Sequence, residues 1–237
     1  MPPPVAAADA VQPPPRPQRP WTMQPRDRLL ATGVHTLDDA DLLSVLLSDG
    51  QSSRDLRAGM ACLLTRFDGL GGLFGATRAG VMPTDAVGQE GWARLLAAHE
   101  LVRRGLAEDL RQRDALTSPQ AVGHYLTLNL QHRRNEVFCV LFLDSHNRLL
   151  VAEDVFQGTL NQTAVYPREV VRRAIEHNAA AVILAHNHPS GIPDPSPADR
   201  LLTEALTSAL KCLDIRVLDH VIVAGGRHYS FAEQGLI

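Results

Sequence analysis

The amino-acid sequence predicts a three-layered domain of mixed α/β (α+β) class, preceded by a small all-helical unit. Three observations carry this expectation. Residues 24 to about 113 repeat their apolar side chains at helical spacing. After Thr117 continuous β-prone runs set in, led by Val137 to Leu143 (VFCVLFL), as expected of a strand buried on both faces. Those runs alternate with amphipathic stretches at Pro167 to His177 and Pro197 to Leu213, and strands mixed with helices pack as layers around one sheet.

The elements follow in chain order. Residues 1–23 are set apart as a tail. Met1 to Pro20 is proline-rich and reads as disordered or polyproline-like. It has no basic start followed by a continuous apolar segment, and Asp9 interrupts its one apolar stretch, so it is not a secretory signal. Residues 24–113 form the helical unit, of about five short helices. Asp39 to Ser48 follows Thr36 as N-cap; Ser53 to Phe67 repeats Leu56, Met60, Leu63 and Leu64; Trp92 to Arg104 repeats Leu95, Leu96, His99 and Leu101. Glycine-rich breaks fall at Gly69 to Gly72 and Gly88 to Gly91. Residues 104–115 are charged and read as a connecting helix or a linker.

Residues 116–237 form the second domain. Ser118 and Pro119 open a helix to Leu128. Val137 to Leu143, a turn at Asp144 to Asn147, and Arg148 to Phe156 make a hairpin. The helix at Pro167 to His177, a short buried strand at Ala180 to Ala185 and the long helix at Pro197 to Leu213 come next. Ile215 to Ala224, Gly225-Gly226 and His228 to Phe231 close the chain as a second hairpin. Neither half contains an internal repeat.

Composition narrows the function classes. The chain is 45% hydrophobic and 21% charged, ordinary for a soluble globular protein, and its apolar runs are too short to cross a bilayer. Cys62, Cys139 and Cys212 are widely spaced with no CxxC, which reads as a reduced cytoplasmic chain with buried thiols, Cys212 among the core residues of its helix. Residues 1–114 carry 13 Lys+Arg against 14 Asp+Glu, and residues 115–237 carry 10 against 12. Neither half is basic, which argues against strong nonspecific binding to nucleic acid and leaves room only for a local patch.

The stretch from Ala185 to Asp199 (AHNHPSGIPDPSPAD) leaves a buried strand, crosses a Pro- and Gly-rich loop and enters a helix. In extended backbone His186 and His188 face one side, so both imidazoles reach one point, and Asp199 falls in the first turn of the next helix. Two imidazoles and a carboxylate leave a fourth tetrahedral position for water, as catalytic zinc requires, and zinc makes hydroxide accessible near neutral pH. The same letters also read without a metal: Ser196 is a natural N-cap, Pro197 suits the first helical position, and Asp199 favours the helix dipole. Spacing alone leaves both readings open.

The stretch HNHPSGIPDPSPAD resembles the signature of JAMM/MPN+ metalloproteases: His-x-His, then Pro-x-Gly, then Ser-x-x-Asp. It is more closely similar to the RadC family of bacterial proteins (UPF0758). That similarity extends over Glu136 to Asp144, Gly158-Thr159, Tyr166 to Glu169, the His186 to Gly191 loop, Val217 to His220 and Tyr229 to Phe231. The resemblance implies an MPN/JAMM-like fold over residues 116–237, Zn2+ held by His186, His188 and Asp199, Glu136 as the general base, and Ser196 on the developing oxyanion. The same hydroxyl is also a candidate helix cap, a role that competes with holding an oxyanion. Zinc suits a His and carboxylate set with an open position better than iron or manganese. The reaction implied is hydrolysis of a peptide or isopeptide.

The helical half is similar to the N-terminal region of the same family, with its helix-hairpin-helix-like element. The glycine-hydrophobic-glycine turn of that element falls here at Asp85-Ala86-Val87-Gly88, where Ala86 replaces the first glycine and Gln89 and Glu90 follow. Both departures weaken a phosphate site. The alternatives to a hydrolase are a DNA-repair-associated DNA-binding accessory and a non-catalytic MPN interaction scaffold. A contact of Asp219 or His220 with a metal ligand is weighed against a core hydrogen bond, which is preferred. Arg168 and Glu169 read as a solvated first turn, and Asn187 as pointing away from the histidine face. Adjacent His-Asn-His is unlike the separated residues of HNH nucleases, and the zinc-deaminase motifs do not occur.

Overall fold

The computed structural model describes residues 23–48, 54–78, 87–158 and 165–237. The tail through residue 22, Ser53, Asp85, Ala86 and Thr159 lie outside the described residues. The chain divides into two compact units, Met1–Ala61 and Cys62–Ile237.

In the first unit, helices α1 (Pro25–Thr32) and α2 (Asp39–Leu47) precede the start of α3 (Arg54–Arg66). Asp38, rather than Thr36, caps α2. Its carboxylate accepts from Asp41 N while Asp41 reaches back to Asp38 N, because Thr36 Oγ1 is already engaged with Thr32 and Gly33 O. Asp41 is buried and bonded to both Arg28 and Arg57, the latter through Nε at 2.8 Å.

The second unit continues with α4 (Leu70–Arg78) and α5 (Gly88–Gln112). Two glycine readings change here. Gly71 and Gly72 lie inside α4, and only Gly69 makes the turn, at φ +95°. A Cβ on Gly71 would meet the His132 ring, and one on Gly72 would lie 1.7 Å from Phe67 O, so close packing rather than a break calls for these glycines. Gly88 and Gly91 likewise belong to α5. Residues 104–112 continue α5 as helix, which resolves the choice between helix and linker.

A five-stranded mixed sheet forms the centre, in the order β2-β1-β3-β4-β5. The strands are β1 (Val137–Leu143), β2 (Leu149–Gln157), β3 (Ala181–Asn187), β4 (Arg216–Ala224) and β5 (Arg227–Ser230). The helices among them are α6 (Pro119–Leu130), α7 (Pro167–Glu176) and α8 (Pro197–Lys211). Side chains alternate across β1 and β3. Cys139, Leu141, Ile183 and Ala185 pack with Val122, Leu126 and Leu130 of α6 and with Ala107 and Leu110 of α5. Phe138, Val140, Phe142, Val182 and Leu184 pack with Val170 and Ala174 of α7 and with Leu206 and Leu210 of α8. Helices thus cover both faces, the three-layered α/β arrangement expected, with helices N-terminal to it.

Cys139 is buried, but Cys62 and Cys212 are exposed, against the expectation of buried thiols. The buried stripe of α8 runs through Asp199, Thr203, Leu206 and Leu210. Cys212, two residues beyond Leu210, is turned about 200° around the axis, away from the core. Among the described residues no helix is long and apolar enough to cross a membrane.

Candidate metal centre

Strand β3 delivers the two histidines. His186 and His188 share the α7/α8 face, and His188 continues the strand's path by donating its N–H to Val223 O at 2.9 Å. Asn187 takes the other face, as expected. Its side-chain oxygen accepts from Val137 N at 2.8 Å, and its amide donates to Arg133 O (3.2 Å) and Asn135 O (3.1 Å), which ties β3 to the entry of β1. The loop then turns at Gly191, φ +80°, whose N–H returns to His188 O at 3.0 Å. That turn brings Ile192 O to 2.8 Å from His188 Nδ1.

Helix α8 delivers the carboxylate. Ser196 is its N-cap and Pro197 opens it. Ser196 Oγ accepts from Asp199 N (3.2 Å) and donates to Asp199 Oδ2 (2.6 Å), and Ser196 N donates to the same oxygen (2.7 Å). The capping box therefore also aims the Asp199 carboxylate. Its Oδ1 lies 3.3 Å from His186 Nε2 and its Oδ2 3.5 Å from His188 Nε2, while the two Nε2 atoms are 3.0 Å apart. One donor atom from each residue lies within 4.8 Å of the others.

The electrostatics suit a cation. Burial opposes ionisation of Asp199, but the adjoining His186 and His188 rings and the hydrogen bond from Ser196 outweigh it and hold the carboxyl well below the usual range. The hydrogen bond with Asp199 raises the pKa of His188 against the effect of burial, and the charge of Glu136 adds to the rise. His188 Nδ1 faces a carbonyl, which only accepts, so the neutral ring carries its proton there and presents a bare Nε2. Ligands about 2.1 Å from a tetrahedral ion stand about 3.4 Å from one another. The observed separations of 3.0, 3.3 and 3.5 Å match those edges, the last two reaching different oxygens of one carboxylate. These three residues can hold a metal ion.

Glu136 directly precedes β1 and is half-buried, with its carbonyl accepting from Gly158 N at 2.8 Å. It shares a cleft of roughly 680 Å³ with His188, Ser196 and Asp199, walled by Val165, Pro189 and Leu202. All five residues singled out from the sequence therefore converge on one place. His220 makes the expected core hydrogen bond, to Thr203, and also touches the ligand set directly. Its Nε2 is 2.8 Å from His186 Nδ1, and burial pushes its pKa well down. Thr203, which sequence reasoning missed, lies 2.6 Å from His220 Nδ1; the available signal was its i+4 spacing from Asp199 on α8. Asp219 instead ties the end of the sheet together, accepting from Ser230 Oγ (2.6 Å) and Ala232 N (2.9 Å). Arg168 is exposed, stacked over Tyr166, as a solvated first turn requires.

Comparison with known proteins places the chain in a family. A family model described as a RadC-like JAB domain matches residues 116–236, and one described as UPF0758 N-terminal matches residues 18–93. A UPF0758 protein of Thiobacillus denitrificans is 50% identical over 216 residues, 91% of this chain and 96% of the relative. One of Acidovorax sp. is 49% identical over 232 residues (92% and 98%), and one of Herminiimonas arsenicoxydans is 51% identical over 219 (91% and 96%).

Proposed function

The chain belongs to the RadC (UPF0758) family with its JAB domain, and we propose that it is a zinc-dependent metallohydrolase that cleaves a peptide or isopeptide bond. One observation carries the reading: His186 meets His188 and Asp199, and the latter two line the cleft that also holds Glu136 and Ser196. His186, His188 and Asp199 would hold the zinc, which would supply an acidified water and a Lewis acid for the scissile carbonyl. Glu136, on the wall of the same cleft, would serve as the general base and hand its proton to the leaving amine. Ser196 donates to the developing oxyanion by releasing its 2.6 Å bond to Asp199 Oδ2, while its backbone N–H keeps the carboxylate in place. Val165 and Leu202 give the substrate an apolar wall.

The proposal assigns catalysis to residues 116–237, a structural or protein-binding role to the helical residues 24–113, and a cytoplasmic setting, where the exposed thiols of Cys62 and Cys212 stay reduced. The test begins with the metal content of the purified full-length protein beside a His186→Ala/His188→Ala variant. About one zinc per chain is expected, lost in the variant. Glu136→Gln should keep its zinc and lose peptide hydrolysis by roughly 100-fold or more. No zinc on the wild-type chain, even when zinc is supplied at neutral pH, would sink the hydrolase reading.

A further inference from the structure

The hydrogen bonds behind His186 form a chain whose polarity is set at its far end. Thr203 Oγ1 lies 2.6 Å from Asp199 O and 2.6 Å from His220 Nδ1. A carbonyl oxygen only accepts, so the single hydroxyl proton of Thr203 points to Asp199 O. The bond to His220 must then run the other way, with His220 Nδ1–H donating to Thr203 Oγ1. His220 is 0% exposed, and such burial keeps an imidazole neutral. Its Nε2 is therefore a bare acceptor, and His186 Nδ1 must donate to it across 2.8 Å. A neutral His186 then has no proton left for Nε2, the atom facing Asp199 and His188.

We propose that Thr203 and His220 are positioning residues that fix the tautomer of His186, so that Nε2 is always presented unprotonated to the metal. The inference rests on the metal reading above for its purpose, but not for its geometry. A hydroxyl bonded to the i−4 carbonyl is common in helices; here the same oxygen also receives the proton of a buried imidazole. Packing holds that imidazole still: Phe231 stacks on it with centroids 4.9 Å apart, and Phe138 meets it edge-on at 5.7 Å. A bulge brings it to this face. Val182 pairs with Val217, but Ile183 pairs with Asp219, so Leu218 is an extra residue and every later side chain of β4 changes sides. The chain also joins two ligands from different elements, because it starts at Asp199 O on α8 and ends at His186 on β3.

The test uses the full chain and two readouts. The first is the imidazole nitrogen NMR spectrum of the metal-free protein at pH 8, which reports which nitrogen of His186 bears the proton. The second is zinc affinity by chelator competition, checked with the Co2+ absorption spectrum. Wild type should show the proton on Nδ1. Thr203→Val, which keeps the shape and removes the acceptor for His220, should move the proton toward Nε2 and weaken zinc binding by roughly 10- to 100-fold. Thr203→Ser should restore both within about threefold, a rescue that a packing role for the methyl group would not give. A wild-type proton on Nε2, or a folded Thr203→Val with unchanged tautomer and affinity, overturns the proposal. If Thr203→Val does not fold, the wild-type spectrum decides. If the wild type shows the Nδ1 proton and binds neither zinc nor cobalt, the metal reading and the presenting role fall together, and only the tautomer assignment stands.

Discussion

Asn187 stands between the two histidines in sequence and on the opposite face of the sheet in space, where it satisfies three backbone groups. Removing it leaves a buried Val137 N–H without a partner, a loss of about 2 kcal/mol. Asn187→Ala should therefore lower the melting temperature by roughly 4–8 °C in a thermal scan. A drop under 1 °C would show that water replaces the amide without cost. Ser196 makes the complementary case, since it caps α8 and aims a ligand at once. Ser196→Ala should cost about 1 kcal/mol of stability. It should also weaken zinc binding by about tenfold in a chelator competition, because Asp199 loses one of the two donors that orient Oδ2. Equal affinity would reduce Ser196 to a cap alone.

At the scale of elements, α5 shows how local pairs extend a helix through a charged stretch that composition left undecided. Glu100 accepts two hydrogen bonds from Arg103 and one from Arg104, one turn ahead, and these pull its pKa down to about 2. A depressed carboxyl stabilises the fold above its ordinary pKa of about 4.5 and loses that contribution as pH falls toward 2. Glu100 is substantially exposed, so the gain is a few tenths of a kcal/mol. Urea unfolding of wild type and Glu100→Gln should differ by that amount at pH 7 and coincide near pH 2. In α4 the constraint is steric. Gly72→Ala should cost roughly 1–3 kcal/mol, because Phe67 O belongs to a backbone that cannot give way. An alanine there with unchanged denaturation midpoint would contradict the close approach.

For the whole molecule, a site assembled from β3, α8 and the entry of β1 links metal binding to folding. Free zinc at about 100 times its dissociation constant should add about 2.7 kcal/mol. That corresponds to a rise in melting temperature of roughly 5–10 °C, reversed by chelator and missing in His186→Ala/His188→Ala. The pH dependence has a definite sign. The raised pKa of His188 stabilises the metal-free fold below about 6.5, and that stabilisation is lost as pH rises through the folded value. Zinc needs the same ring neutral, so its increment should be largest above the pKa of His188 and shrink on acidification. An increment independent of pH from 8 to 5 would place the ion elsewhere.

The period-two alternation of β3 and the capping letters Ser196-Pro197-Ala198-Asp199 are local, and they suffice to put His186 and His188 on one face and Asp199 in the first turn of a helix. The VFCVLFL run likewise announced a strand buried on both sides. Features that depend on partners distant in the chain come from packing instead. The extra residue at Leu218 turns His220 toward His186, and no periodicity announces a bulge. Gly71 and Gly72 stay helical because His132 and Phe67 crowd them, although glycine runs ordinarily read as breaks. Cys212 is exposed because the axial position of α8 against the sheet chooses which stripe is buried. Local rules set where side chains point along one element, whereas the proton pattern behind His186 needs three elements packed together before any of its hydrogen bonds exists.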